Sequence, residues 1–92
     1  MPELVSTPKF ERAYARHTKR NAIRRQCVDQ ALARLAVNPL DPRLRTHPLS
    51  GDLAGFHACS CGYDCRILLL WRREGSREAI LLINVGTHDG VY

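Results

Sequence analysis

The sequence predicts an α+β fold: a helical hairpin packed on a small, mostly antiparallel sheet, with elements in the order β-α-α-β-β-β. Three observations predict it. Two apolar runs of strand length, Ile67 to Trp71 and Ala79 to Val85, are separated by the turn signal Glu74-Gly75-Ser76 and read as a hairpin. Two longer segments near the start repeat apolar residues at helical spacing. Between these halves lies a stretch broken by Pro42, Pro48, Gly51 and Gly55, which reads as a loop.

Glu3 to Thr7 is short and β-prone. Thr7 before Pro8, with Glu11 near the first turn, marks a helix start: a hydroxyl cap, a proline at the first helical position and an acid near the positive end of the dipole. Phe10, Ala13, Tyr14 and His17 form its buried stripe, with His17 a partly buried packing residue. Lys9, Arg12, Arg16, Lys19 and Arg20 take the other face. Asn21 caps a second helix whose expected stripe is Ile23, Cys27, Ala31, Leu32 and Leu35, leaving Arg24, Arg25, Asp29 and Arg34 in solvent. Asn38-Pro39-Leu40-Asp41-Pro42 stops it, so the two helices pair across one face of the sheet.

Phe56 to Cys61 reads as a strand carrying His57 as a surface residue, and Gly62 as a bend or bulge before the central strand. If that strand runs from Gly62 to Trp71, Ile67, Leu69 and Trp71 share one face, and Asp64, Arg66, Leu68 and Leu70 the other. Such a carboxylate beside a guanidinium is either a structural ion pair at the strand entrance or part of a working site. Gly86 ends the last strand, and Thr87 to Tyr92 reads as a polar tail.

Ninety-two residues are expected to make one domain, 1–92, able to bury roughly 60–65% of its unfolded surface. An apolar fraction of 45% with 25% charged residues argues against disorder. No apolar run approaches the length of a membrane helix and no leader pattern opens the chain, so a soluble, cytoplasmic protein is expected. A net charge of +5 favours an anionic partner. Eight of the cations fall between Lys9 and Arg34, where they form either a solvated helix face or an anion-binding one. Cys59, Cys61 and Cys65 are not spaced as a zinc site, and with Cys27 they are expected to be free, mostly buried thiols; no metal or cofactor is expected.

The element order, together with His47-Pro-Leu-Ser-Gly51, Leu53-Ala-Gly55-Phe, Gly62-Tyr-Asp-Cys-Arg66-Ile and Val85-Gly-Thr-His88-Asp-Gly-Val-Tyr92, resembles the RelE/ParE superfamily of type II toxin–antitoxin toxins. Within it the chain looks most like the YafQ-type mRNA interferases, over nearly its whole length. The resemblance implies a RelE-like fold and an endoribonuclease acting on mRNA at the ribosome. It also implies a cognate antitoxin that silences the toxin in a hetero-oligomer. Carried across by position, it implies catalytic roles for His47, Asp64, Arg66 and His88. RNA contacts would come from Arg66 and Tyr92, with Lys19, Arg20 and Arg24 meeting ribosomal RNA. One departure stands out: YafQ-type members carry a further histidine where this chain has Ser60. The alternatives are a ParE-like toxin that binds gyrase without nuclease chemistry, and a nuclease-weak module that serves to bind the antitoxin.

Metal-free RNA cleavage needs a base for the 2′-hydroxyl, an acid for the leaving 5′-oxygen and cations for the phosphorane charge. Histidine can fill either proton-transfer role near neutral pH. His47 and His88 are the expected acid/base pair, with Asp64 orienting an imidazole or taking a proton and Arg66 holding the phosphate.

Overall fold

The computed structural model describes residues 1–92. Thr7 caps α1 (Pro8–Thr18) as its sequence predicts, accepting a hydrogen bond from Phe10 N at 3.2 Å. Its hydroxyl also donates to Leu82 O at 2.7 Å, which ties the helix start to the sheet. Asn21 caps α2 (Ala22–Val37) through Arg24 N, and the Tyr14 hydroxyl donates to Asp29 across the two helices at 2.8 Å.

Five strands form one sheet in the order β1-β5-β4-β3-β2: β1 (Glu3–Ser6), β2 (His47–Pro48), β3 (His57–Ser60), β4 (Arg66–Glu74) and β5 (Arg77–Gly86). Only β1 against β5 is parallel; the other pairs are antiparallel. A short helix, α3 (His88–Val91), follows β5. Phe10 and Ala13 of α1 and Val28, Ala31 and Leu35 of α2 pack with Leu44 on the sheet face that carries Cys59, Ile67, Leu69, Ile80, Leu82 and Val85.

Several expectations are corrected. The stripe of α2 runs through Val28, Ala31 and Leu35, not Ile23, which is 75% exposed. At about 100° per residue Ile23 lies about 140° round the helix from Val28, so it cannot join that stripe. The loop after α2 holds two 3-10 turns, Pro42–Leu44 and Gly51–Leu53, and the two-residue strand β2. The tail expected from Thr87 onward turns once as α3, because Thr87 accepts from Gly90 N at 3.3 Å. Gly62 is the bend the sequence suggests before the central strand, and a separate bulge falls at Leu68/Leu69: Leu68 faces Asn84 and Leu69 faces Leu82, and Asn84 Oδ1 takes the Val85 N–H at 3.0 Å.

The central strand begins at Arg66, not Gly62. Gly62 at φ 123° and Asp64 at φ 50° fold the chain into a tight turn, with Cys61 N donating to Cys65 O at 3.0 Å. That turn brings the Cα atoms of Cys61 and Cys65 to 5.0 Å and they form a disulfide, so two of the expected free thiols are bonded. Cys27 and Cys59 remain free, and burial pushes the Cys59 thiol up to about 12.

Leu35 is fully buried and Ile23 is not, so their truncations separate the two stripes. Leu35→Ala should cost about 2–5 kcal/mol in denaturant unfolding, against less than about 0.5 kcal/mol for Ile23→Ala.

Candidate functional site: an arginine-lined groove

Arg66, first residue of β4, pairs with Ser60 of β3 on one side and Gly86 of β5 on the other. The turn before β4 and the helix after β5 therefore lie at the same end of the sheet. Asp64 Oδ1 accepts from the backbone N–H of His88 at 3.1 Å, joining that turn to the start of α3. The expected Asp64–Arg66 pair does not form, because Asp64 sits in the turn rather than on the strand. The Arg66 guanidinium instead donates to Cys65 O at 2.8 Å and reaches Gly62 O at 3.5 Å, which fixes its position.

These residues border a groove of about 570 Å³ whose charged lining is Arg34, Arg43, Arg45, Arg66 and Asp64, with His88 as its imidazole. Four guanidinium groups against one carboxylate make it a site for anions. Arg43 is held by Asp41 at 2.8 Å, and that partner holds the Asp41 carboxyl down at about 2. The net positive charge of the groove therefore comes chiefly from Arg34, Arg45 and Arg66. Ser60 also lines it, donating its hydroxyl to Gly62 O at 3.3 Å.

His88 is exposed, with its Nδ1 3.6 Å from Asp89 and its ring edge-on to Tyr92 at 4.7 Å. Burial raises the Tyr92 phenol above its usual range, so it stays protonated and can donate. Val91 packs against Gly86, where an added Cβ would meet its Cγ2 at 3.4 Å; this seats α3 on the sheet.

The structure thus brings Asp64, Arg66, His88 and Tyr92 together and leaves His47 apart. His47 lies on β2 opposite Ala58, exposed, its Nδ1 2.8 Å from Arg45 O. It occupies the same sheet face as Arg66 but two strands over and two residues along, about 12 Å by strand spacing and rise. Lys19 and Arg20 sit exposed at the α1–α2 junction, outside the groove. Arg24, next to them, reaches His17 O at 3.4 Å. Arg34, Arg43 and Arg45 also line the groove, beyond the site residues expected from sequence. A local signal existed for one of them: Asp41-Pro42-Arg43 is an Asx-turn pattern that folds Arg43 back onto its own carboxylate.

Beyond the groove, His17 is buried on α1, and its Nε2 has no hydrogen-bond partner. Half-buried His57 stacks edge-on against Trp71 at 5.6 Å, so the expected surface histidine is part of the packing. No group of acidic, histidine and cysteine side chains is clustered as a metal site, and no helix is long and apolar enough to cross a membrane.

Residues 3–92 match the family described as the bacterial toxin of type II toxin-antitoxin system, YafQ. No curated protein matches the sequence. Among solved structures, YafQ from Escherichia coli is similar at TM-score 0.77 and 15% identity, covering 100% of this chain and 99% of that one. The YoeB/ParE toxin from Agrobacterium tumefaciens is similar at TM-score 0.76 and 20% identity, covering 94% of this chain and 98% of its own. A chain of the Escherichia coli DinJ–YafQ complex is similar at TM-score 0.71 and 13% identity, over 100% and 99% of the two chains. At these identities the likenesses show the fold.

Burial, then the nearby Arg24 charge, lowers the His17 pKa below its ordinary 6.5, while Asp64 opposes them. Protonation is then harder in the folded chain than in the unfolded one. Stability is complete above pH 6.5 and falls as the pH drops through 6.5 toward the lower folded value. The thermal midpoint should decline over that window, and His17→Phe should flatten the decline.

Proposed function

The chain belongs to the family of YafQ toxins of type II toxin–antitoxin systems, and on that premise we propose that it is an endoribonuclease that cuts translated mRNA without needing a metal. The observation that carries this reading is the groove itself, where His88 stands among four arginines and one carboxylate at the joined ends of two strands. That lining suits a phosphodiester, and an imidazole beside it suits proton transfer to or from the reacting oxygens.

In the proposed reaction the 2′-hydroxyl attacks the adjacent phosphorus in line. The P–O2′ bond forms, the P–O5′ bond breaks, and a 2′,3′-cyclic phosphate remains on one product. A base removes the 2′ proton and an acid protonates the departing 5′-oxygen. His88 and His47 are the proposed acid/base pair, with His88 lining the groove and His47 two strands from Arg66 on the same sheet face. Arg66, anchored on two carbonyls, meets the phosphate with little reorganisation. Asp64 orients His88 through the backbone rather than through the ring. Tyr92 supplies a phenol donor or a stacking face to the RNA.

The exposed Lys19, Arg20 and Arg24 would meet phosphates of ribosomal RNA, consistent with a cytoplasmic toxin that acts on the ribosome. The DinJ–YafQ complex supports a cognate antitoxin for this chain too, held in a toxin–antitoxin hetero-oligomer. Against so basic a surface, that partner should present acidic, partly disordered chain that folds as it binds.

One observation favours a second reading, a nuclease-weak module that chiefly binds its antitoxin. Ser60 lines the groove at the position where the resemblance leads one to expect a histidine, so His88 is the one imidazole in the groove lining.

His88→Ala, Asp64→Ala and His47→Ala should each lower cleavage of a reporter mRNA at least about tenfold, read by primer extension. Because His88 is exposed, its variant should keep the parent's thermal midpoint. Cleavage undiminished in all three would sink the assignment, and gyrase inhibition with intact mRNA would replace it with ParE-like action. Ser60→His should raise the cleavage rate about tenfold or more if the second reading holds, and leave it unchanged if the groove is already fully competent.

A further inference from the structure

Beside the arginine groove lies a second cavity, of about 410 Å³, between the start of α2 and the disulfide turn. The two share Cys27, Cys61, Gly62, Tyr63 and Asp64, so they lie on either side of one common wall. Their chemistry differs. Ile23, Cys27, Tyr63 and the Cys61–Cys65 disulfide make the second cavity largely apolar, with Arg24 and Asp64 as its charged groups.

Two of its lining residues are out of place for a structural role. The Tyr63 side chain is as exposed as in an extended chain, and Ile23 is 75% exposed. Neither contributes to the core, yet both border this cavity. Tyr63 is carried on the three-residue turn closed by the Cys61–Cys65 bond, so its backbone is held and stacking on it would order few extra torsions. A third wall residue, His17, has a buried Nε2 that no protein group reaches.

We propose that this cavity is a nucleobase subsite: an RNA whose phosphates lie in the arginine groove places one base in it, stacked on the Tyr63 ring and flanked by Ile23 and the disulfide. A nucleobase fits because it combines an apolar face with a polar edge. The face meets the ring, the aliphatic side chain and the sulfurs, while the edge meets Arg24 and Asp64. The volume lies within the range of about 300–1,000 Å³ that small-ligand pockets span. Burial keeps the His17 ring toward its neutral form, which suits an uncharged occupant. The subsite rests on the ribonuclease reading, since it takes the groove to hold RNA phosphates.

The test compares two fluorescent oligonucleotides of equal length by anisotropy: a 2′-O-methyl tetranucleotide, which cannot be cut, and the same backbone with abasic positions. The parent should bind the base-bearing strand about fivefold or more tighter than the abasic one. Tyr63→Ala should bring that difference below about twofold, and Tyr63→Phe should retain it. Both changes fall on an exposed side chain, so folding is not at stake. Arg45→Ala should weaken both strands alike and reports on the groove. Equal binding of the two strands by the parent, with Arg45→Ala still weakening both, would overturn the subsite and leave the groove standing. Failure of both strands to bind the parent would overturn the RNA reading and the subsite with it. A Tyr63→Ala effect confined to antitoxin affinity would give the cavity to a protein side chain and so overturn the proposal.

Discussion

Antiparallel pairing sets Arg66, the first residue of β4, opposite Gly86, the last of β5, so whatever precedes one strand lies beside whatever follows the other. Every feature of the groove descends from that register. The turn Gly62–Cys65 and the helix His88–Val91 are 24 residues apart at their Asp64–His88 contact, yet a single hydrogen bond of 3.1 Å spans them. The ladder is itself held by the core: Ile67, Leu69, Ile80, Leu82 and Val85 pack beneath the helices on one face of the same two strands. The hydrophobic burial that stabilises the sheet thus also fixes the geometry of the polar end.

Charge at that end is arranged with different degrees of freedom. Arg43 is tied by two hydrogen bonds to Asp41, and Arg66 is tied to main-chain carbonyls. A carbonyl partner orients a guanidinium without cancelling its charge, whereas a carboxylate does both. Arg66 is thus preorganised and still cationic, while Arg43 is preorganised and largely neutralised. The groove carries its net field on residues from three separate parts of the chain, α2, the turn after it and β4. An anion that fills the groove would relieve repulsion that the fold itself leaves uncompensated.

Local signals in the sequence are legible where one residue decides the outcome. Thr7-Pro8 and Asn21 start their helices because each cap needs only its own side chain and the next turn. The hairpin of β4 and β5 follows from two apolar runs and one turn. Signals that depend on backbone angle were not legible. Strand parity reaches Asp64 only if the backbone is extended from Gly62 onward, and the left-handed conformation of Asp64 ends the alternation there. The Cys61–Cys65 bond likewise depends on how tightly the chain turns at Gly62 and Asp64, which cysteine spacing alone does not reveal. Arg34, Arg43 and Arg45 converge only in three dimensions, and no spacing announces them. Tyr63 precedes Asp64 in the turn, and nothing in its spacing marks it as a cavity residue.

The chemistry available at the groove is narrower than the count of histidines suggests. A concerted cleavage requires a group that accepts a proton and another that donates one, and one imidazole cannot do both in the same step. Tyr92, whose ring centroid is 4.7 Å from that of His88, carries a phenol whose pKa lies above its ordinary 10.0, so at neutral pH it is a proton-bearing group and not a base. His47 stands two strands from Arg66 on the same sheet face, so a bound strand that engages both must cross β3. Within the proposed reading, the base therefore falls to His88 and the acid to His47, with Tyr92 contacting the RNA beside His88. With serine at position 60, the path of the RNA across the sheet, rather than a preassembled pair of imidazoles, decides how the departing oxygen is protonated.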